Sequence, residues 1–326
     1  MATESSVGST SSTTGHTDSA VQTASSVVGA NETTTAKDSF FPPSFGARAH
    51  DVADGVSPSE LAAQAAALGV PRLQLALMKS YPEVAKKLTV GLGEQFRAAF
   101  AEHGVSIAIF SCYQNLIHPD PEQRARILNT FGDYLRHASA FGARMVVSET
   151  GSVLPGLGYS TENHQAPAYA DIVDSVTKLC DIAAHHGTLV GIEPGLNHPI
   201  YNLETTKRLI QDVASPNLAI VLDPFNLLRT PAAGGDAETD PANYLGLIEK
   251  AFAEFGDAIE AVQIKDCMID PTGATPNGIK SVPVGTGILP IKEAVAYITT
   301  QKPGLDIILE DTPAQYIPAA LTAMGK

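Results

Sequence analysis

The sequence predicts a (β/α)8 barrel, the TIM-barrel class, and three observations predict it. From Phe45 onward, short β-branched runs alternate with longer stretches of helical periodicity. The runs number eight. Polar residues gather at their C-terminal ends, where a barrel of this class carries its active site.

The candidate strands are 44–50 (SFGARAH), 72–77 (RLQLAL), 106–112 (SIAIFSC), 144–150 (RMVVSET), 188–194 (TLVGIEP), 218–224 (LAIVLDP), 260–266 (EAVQIKD) and 305–311 (LDIILED). Helices fill the gaps. Ser57-Pro58-Ser59-Glu60 reads as a capping box with proline in the first turn. Ile127, Leu128, Phe131, Leu135 and Ala138 fall on one face of a later helix; Ile172, Val173, Val176, Leu179, Cys180 and Ala183 do so on the next, which makes Cys180 a core residue. Gly69, Gly104, Gly142, Gly187 and Gly256 stand where helices stop before strands. Eight parallel strands close most simply as a barrel, since an open sheet leaves two edges to protect. A doubly wound sheet is the competing fold, but no GxGxxG follows the first strand.

Residues 1–40 form a Ser/Thr-rich segment too poor in apolar surface to offset its ordering entropy, so a disordered tail is expected ahead of a barrel domain at 41–326. This segment lacks the basic and apolar regions of a signal peptide, and no stretch reaches the length of a membrane span. Thirty-five acidic residues against 21 basic ones give a net charge of −14, a field that repels nucleic acid. Cys112, Cys180 and Cys267 show no pairing or CxxC pattern, which fits a reducing cytoplasm. The expected partner is a small sugar-like molecule; a homo-oligomer is compatible with the sequence.

At the strand ends, Glu193, Asp223 and Glu310 each follow an apolar run. Three acids on one rim repel unless a cation neutralises them, and a divalent metal is the economical cation. Gln263 can add its amide oxygen, and an all-oxygen set suits Mn²⁺ best, with Mg²⁺ or Co²⁺ as alternatives. His50, Asn115, His198, Asn226 and Lys265 are candidates for substrate contact; Lys265 can also pair with the adjacent Asp266, which we favour. His118 precedes a helix start, and His185 and His186 lie at a helix C-terminus, where a structural role is expected. Val284-Gly285-Thr286-Gly287 reads as a tight turn rather than a phosphate loop.

At Glu193 (GIEPG), Asp223 (LDPFN), Gln263 (VQIKD) and Glu310 (ILEDT), over roughly residues 45 to 326, the sequence resembles the sugar phosphate isomerase/epimerase family of xylose-isomerase-like barrels. Members carry a Glu after strand five, Asp-x-x-His after strand six, His-x-Lys-Asp in strand seven and a Glu ending strand eight. Here Asn226 and Gln263 stand where those histidines are usual, which predicts looser metal binding. The resemblance implies proton transfer through an enediolate, with Glu193 and Glu310 on opposite sides of the reacting carbon of a ketose or other sugar-like carbonyl compound. A lyase or dehydratase using the same groups, a non-catalytic sugar-binding subunit and an endonuclease-like repair enzyme are the competing readings; the acidic charge and missing histidines count against the last.

Overall fold

The computed structural model describes residues 44–326, so the expected tail, and the first residues assigned to the barrel domain, lie outside the described residues. Eight parallel strands close into a barrel. In chain order they are β1 (Ser44–Arg48), β2 (Arg72–Ala76), β3 (Ser106–Ser111), β4 (Met145–Glu149), β5 (Leu189–Glu193), β6 (Leu218–Leu222), β7 (Ile259–Ile264) and, after the hairpin strands β8 (Asp266–Ile269) and β9 (Ile279–Val282), β10 (Asp306–Leu309). The barrel runs β1-β10-β7-β6-β5-β4-β3-β2 and closes β2 onto β1. All eight expected strands are found, each ending within a few residues of its expected bounds. The antiparallel β8–β9 hairpin was not expected; it occupies the connection before the last barrel strand.

The strand period of two explains the barrel's interior. Ile109, Met145, Val147, Ala219, Val221, Ala261 and Ile308 meet in a closed apolar cluster. Alternate positions pack outward against the helices in a much larger cluster that includes Val146, Ile192, Ile220, Val262 and Leu309. Gly191 is required inside, because a Cβ there would lie 2.7 Å from Val147 and 2.8 Å from the Met145 sulfur. Counting on by two from the interior residues leads to Glu149, Glu193, Asp223, Gln263 with Lys265, and Glu310 at the top of the barrel. An irregularity between Leu73 and Gln74 in the β2–β3 pairing resets the register so that Gln74 stands opposite Ile109 and Ala76 opposite Ser111.

Local signals form as expected. Ser57 and Glu60 complete the capping box of the helix Pro58–Ala67. Asp120 caps Pro121–His137 through Glu122 and Gln123 N–H, and His118 accepts from Asp120 N–H just before it. Gly187, at φ 62°, ends the long helix Ala166–His186 on the left-handed conformation that favours glycine, with His185 and His186 exposed in its last turn. Gly256 departs from the expectation: its φ of −53° continues the chain into a 3-10 turn, so no left-handed cap forms there. Cys180 is buried in the core. Among the described residues no helix is long and apolar enough to cross a membrane.

Candidate functional site

A cavity of about 400 Å³ sits at the C-terminal mouth of the barrel, lined by Arg48, His50, Gln74, Tyr113, Glu149, Glu193, Asn226, Lys265 and Glu310 among others. Strand ends and the first residues beyond them supply nearly all of these, as the barrel geometry requires. Larger surface cavities lie elsewhere, but none gathers these acids.

Glu193 is 2% exposed and held by neutral donors only: Asn226 Nδ2 donates to its Oε1 over 2.7 Å, and the Tyr113 hydroxyl donates to its Oε2. Burial, then the nearby Glu310, push its pKa well above the ordinary carboxylate value, against the pull of Lys265. Burial and the same two glutamates hold the Tyr113 phenol far above its usual range, so it stays a neutral donor. Glu310 is held differently. Gln263 Nε2 donates to its Oε1 over 2.8 Å, and its Oε2 lies 2.9 Å from Lys265 Nζ and 3.7 Å from an Arg48 guanidinium nitrogen. Asp311, next in the chain, takes a φ of 50°, a strained conformation for a non-glycine residue, and is fixed by Arg48 at 2.6 Å and Ser281 Oγ at 2.8 Å.

Lys265 also bonds Asp223 Oδ2 and donates to Asn226 Oδ1 over 3.2 Å. Burial opposes its charge, but Asp223, Glu310 and Glu193 outweigh that and hold its pKa well above normal. Burial raises Asp223 to about 6 even with Lys265 beside it. Two expectations are corrected here. The cation on two of the three acids is Lys265 itself, so repulsion among them does not require a metal. Lys265 does not pair with Asp266: the next residue along faces away from the barrel interior, and its carboxylate accepts backbone N–H groups of Cys267, Gly285, Gly287 and Leu289. The glycine turn is thereby tied to Asp266 and serves as a turn, as expected.

The donors decide whether this set fits a divalent ion. Gln263 Oε1 is buried without a hydrogen-bond partner, while its Nε2 donates to Gln74, Tyr113 and Glu310. An orphaned carbonyl oxygen among carboxylates is a hard donor of the kind Mg²⁺ and Mn²⁺ take. Glu193, Asp223, Gln263 and Glu310 therefore fit a divalent ion chemically. Among the described residues no three His, Cys, Asp or Glu side chains stand as a ready ligand cluster, and Lys265 engages Asp223 and Glu310. A divalent ion competes with that ammonium.

Of the substrate-contact candidates, His50, Asn226 and Lys265 line the cavity. His50 lies in a short helix after β1, rather than on the strand, and both its ring nitrogens are buried without partners. Burial, then Arg48, lower its pKa and keep it neutral. Asn115 is placed elsewhere. Its Nδ2 donates to the carbonyls of Ser152 (2.9 Å) and Leu154 (2.7 Å), and its Oδ1 accepts from Ser152 N–H at 2.9 Å, so it ties down the loop after β4. Gly151 at φ 100° makes room for it, since a Cβ there would meet Asn115 Oδ1 at 2.3 Å. His198 is also withdrawn from the main cavity: its Nδ1 bonds Gly151 O at 2.8 Å and its Nε2 lies 3.3 Å from Glu149. Tyr113 and Glu149 stand out in the sequence as polar strand-end residues but carry no assigned role there; counting by two from Ile109 and from Met145 points both into the cavity.

Against known proteins, the family model described as xylose isomerase-like TIM barrel matches residues 62–324. No curated protein matches the chain. Solved structures share the fold at low identity. The 3-keto-D-glucoside 4-epimerase from E. coli is 16% identical with a TM-score of 0.62, over 87% of this chain and 99% of that one. The probable 3-DHS dehydratase of petrobactin synthesis from Bacillus anthracis is 15% identical with a TM-score of 0.65, over 86% and 98%. A xylose isomerase-like TIM barrel protein from Mycobacterium smegmatis, in complex with magnesium, is 18% identical with a TM-score of 0.60, over 87% and 98%. A closed parallel barrel with these polar strand ends, matched over most of its length, places the chain in the xylose isomerase-like TIM barrel family.

Proposed function

We propose that the protein is a divalent-metal-dependent isomerase or epimerase that moves a proton beside the carbonyl of a ketose or similar sugar-like compound. The observation that carries this reading is the unequal setting of Glu193 and Glu310 on one cavity. Glu193 touches only neutral donors, and burial raises its affinity for a proton, whereas Glu310 is braced by Lys265 and Arg48. The epimerase and the magnesium-bound barrel named above support the reading by analogy of fold.

Glu193, Asp223, Gln263 and Glu310 would hold the metal, with Mn²⁺ the preferred ion, and when bound it supplies Lewis-acid polarisation of the substrate carbonyl. Glu193 takes the α-proton. Tyr113 and Asn226 orient its two oxygens and can shift with its charge as the proton arrives. Lys265, on the cavity wall, stabilises negative charge on the substrate oxygen. Neutral His50, with one ring nitrogen to donate and one to accept, binds a substrate hydroxyl. In an isomerase Glu193 hands the same proton to the neighbouring carbon; in an epimerase Glu193 keeps it, and Glu310, on the same cavity, delivers one from its protonated form and is reprotonated from solvent before the next turnover.

The test is α-proton exchange in D₂O with Mn²⁺ present, over a panel of ketoses, keto-inositols and oxidised glycosides. Exchange is expected in the wild type and lost in Glu193→Gln and Glu310→Gln. Loss of water in place of an epimer identifies a dehydratase on the same groups. Absence of exchange with every member overturns the proposal.

A further inference from the structure

Arg229 stands just beyond the 3-10 turn Pro224–Leu227 that carries Asn226. Its backbone is pinned, with its N–H donating to Thr239 O over 2.8 Å and the following Thr230 N–H donating to Asn277 O over 3.0 Å. Among the described residues its side chain has no such anchor. The Nε is buried without a hydrogen-bond partner, and among the described residues it is the only guanidinium or ammonium nitrogen in that state. No ion pair among the described residues includes Arg229, in a chain with 35 acidic and 21 basic residues. Leaving a buried guanidinium donor unmet is costly, and the expense is recovered where a ligand supplies the acceptor.

The cavities around Arg229 say where that ligand sits. A small one of about 160 Å³ is walled by Glu149, His198, Asn226, Arg229 and Asn277. It shares Glu149 and Asn226 with the cavity that holds Glu193 and Glu310, so the two compartments meet across those side chains. On its other side Arg229 and Leu196 also line a cavity of about 640 Å³ between the loops that carry His164 and Tyr201. Glu149 is the one acid on the small cavity, and His198 lies 3.3 Å from it. In the larger cavity Glu238 is engaged by Lys250, while Glu204, Asp236 and Glu254 make no ion pair with Arg229.

We infer that Arg229 receives an oxyanion, a carboxylate or a phosphate, carried by the substrate at the end remote from the carbon that Glu193 and Glu310 address. The guanidinium fork matches two oxygens of either group. This inference rests on the proton-transfer reading for the position of the reacting carbon, but the anion site itself can be measured without catalysis.

Three arms compare D₂O exchange of a neutral ketose, a keto-uronate and a ketose phosphate in the wild type, Arg229→Gln and Arg229→Lys, with thermal melting to show that each variant folds. One anionic substrate is expected to exceed the neutral one at least tenfold in kcat/KM, and the favoured arm tells carboxylate from phosphate. The preference collapses toward unity in Arg229→Gln through KM and recovers in part in Arg229→Lys. Equal kcat/KM for all three substrates, or an Arg229→Gln loss shared by all of them, overturns the inference. If no arm exchanges, the proton-transfer reading fails, and calorimetry with glucuronate and inorganic phosphate decides the anion site alone. Binding lost in Arg229→Gln upholds it, and binding that is absent or unchanged overturns it.

Discussion

Lys265 Nζ lies 2.9 Å from Glu310 Oε2 and also bonds Asp223, so an internal ammonium occupies the position between two of the acids expected to hold a metal. Removing it strands two buried carboxylates, a change that costs about 3–5 kcal/mol when one partner of a buried pair is lost. The metal-free Lys265→Met variant is expected to melt well below wild type. Added Mn²⁺ should then raise its melting temperature more than it raises that of the wild type, because the competitor is gone. An equal or smaller rise in the variant argues against competition at this site.

Gln263 contributes an amide oxygen where an imidazole is the stronger donor. Gln263→His should tighten Mn²⁺ binding by about tenfold or more, read by competition with a chromophoric chelator. Unchanged affinity would place the ion away from β7.

Tyr113 donates a hydrogen bond to the Glu193 carboxyl group, and such a bond to its ionised form is worth about 1.5–3 kcal/mol. Removing the hydroxyl favours the protonated carboxyl, so the Glu193 pKa rises further. In Tyr113→Phe the acid limb of the rate profile is expected to move upward by about one pH unit, so that kcat falls on the acid side of the profile and least on its alkaline side. The reading fails if the limb stays where it is.

The Glu149–His198 pair gives a signed pH dependence. For His198, burial works against the charge, yet Glu149 and the Gly151 carbonyl raise its pKa above normal. For Glu149, burial is outweighed by His198, and its pKa falls. The histidine's contribution to stability is complete below its unfolded value of about 6.5 and disappears as pH rises through the raised folded value. The glutamate's contribution requires a pH above its ordinary value of about 4.3 and is lost as pH falls through the lowered one. His198→Gln should therefore lower the melting temperature most near pH 5–6 and least near pH 9. A deficit that grows toward alkaline pH contradicts the assignment.

Asn115 holds backbone carbonyls of the loop after β4 and accepts from Ser152 N–H. Asn115→Ala leaves those buried groups unmet and should cost about 2–3 kcal/mol, with faster proteolysis between residues 152 and 158. A variant with wild-type stability and raised KM would return Asn115 to the substrate.

The sequence by itself determined the barrel, the order of its strands and the placement of Glu193, Asp223, Gln263 and Glu310 at their ends, because strand period and apolar runs are local properties of the chain. The hairpin after Lys265 escaped notice, since its exposed Met268 and Ile269 give no clear buried face. Only closure of the barrel decided the partners. It turned Lys265 inward onto Asp223 and Glu310 while Asp266 went to the Gly285–Gly287 turn, and it carried Asn115 to a loop 37 residues away. Among the described residues it also left Arg229 without an acid. Such pairings join residues far apart in the chain, and their chemistry follows from burial and proximity that no local pattern encodes.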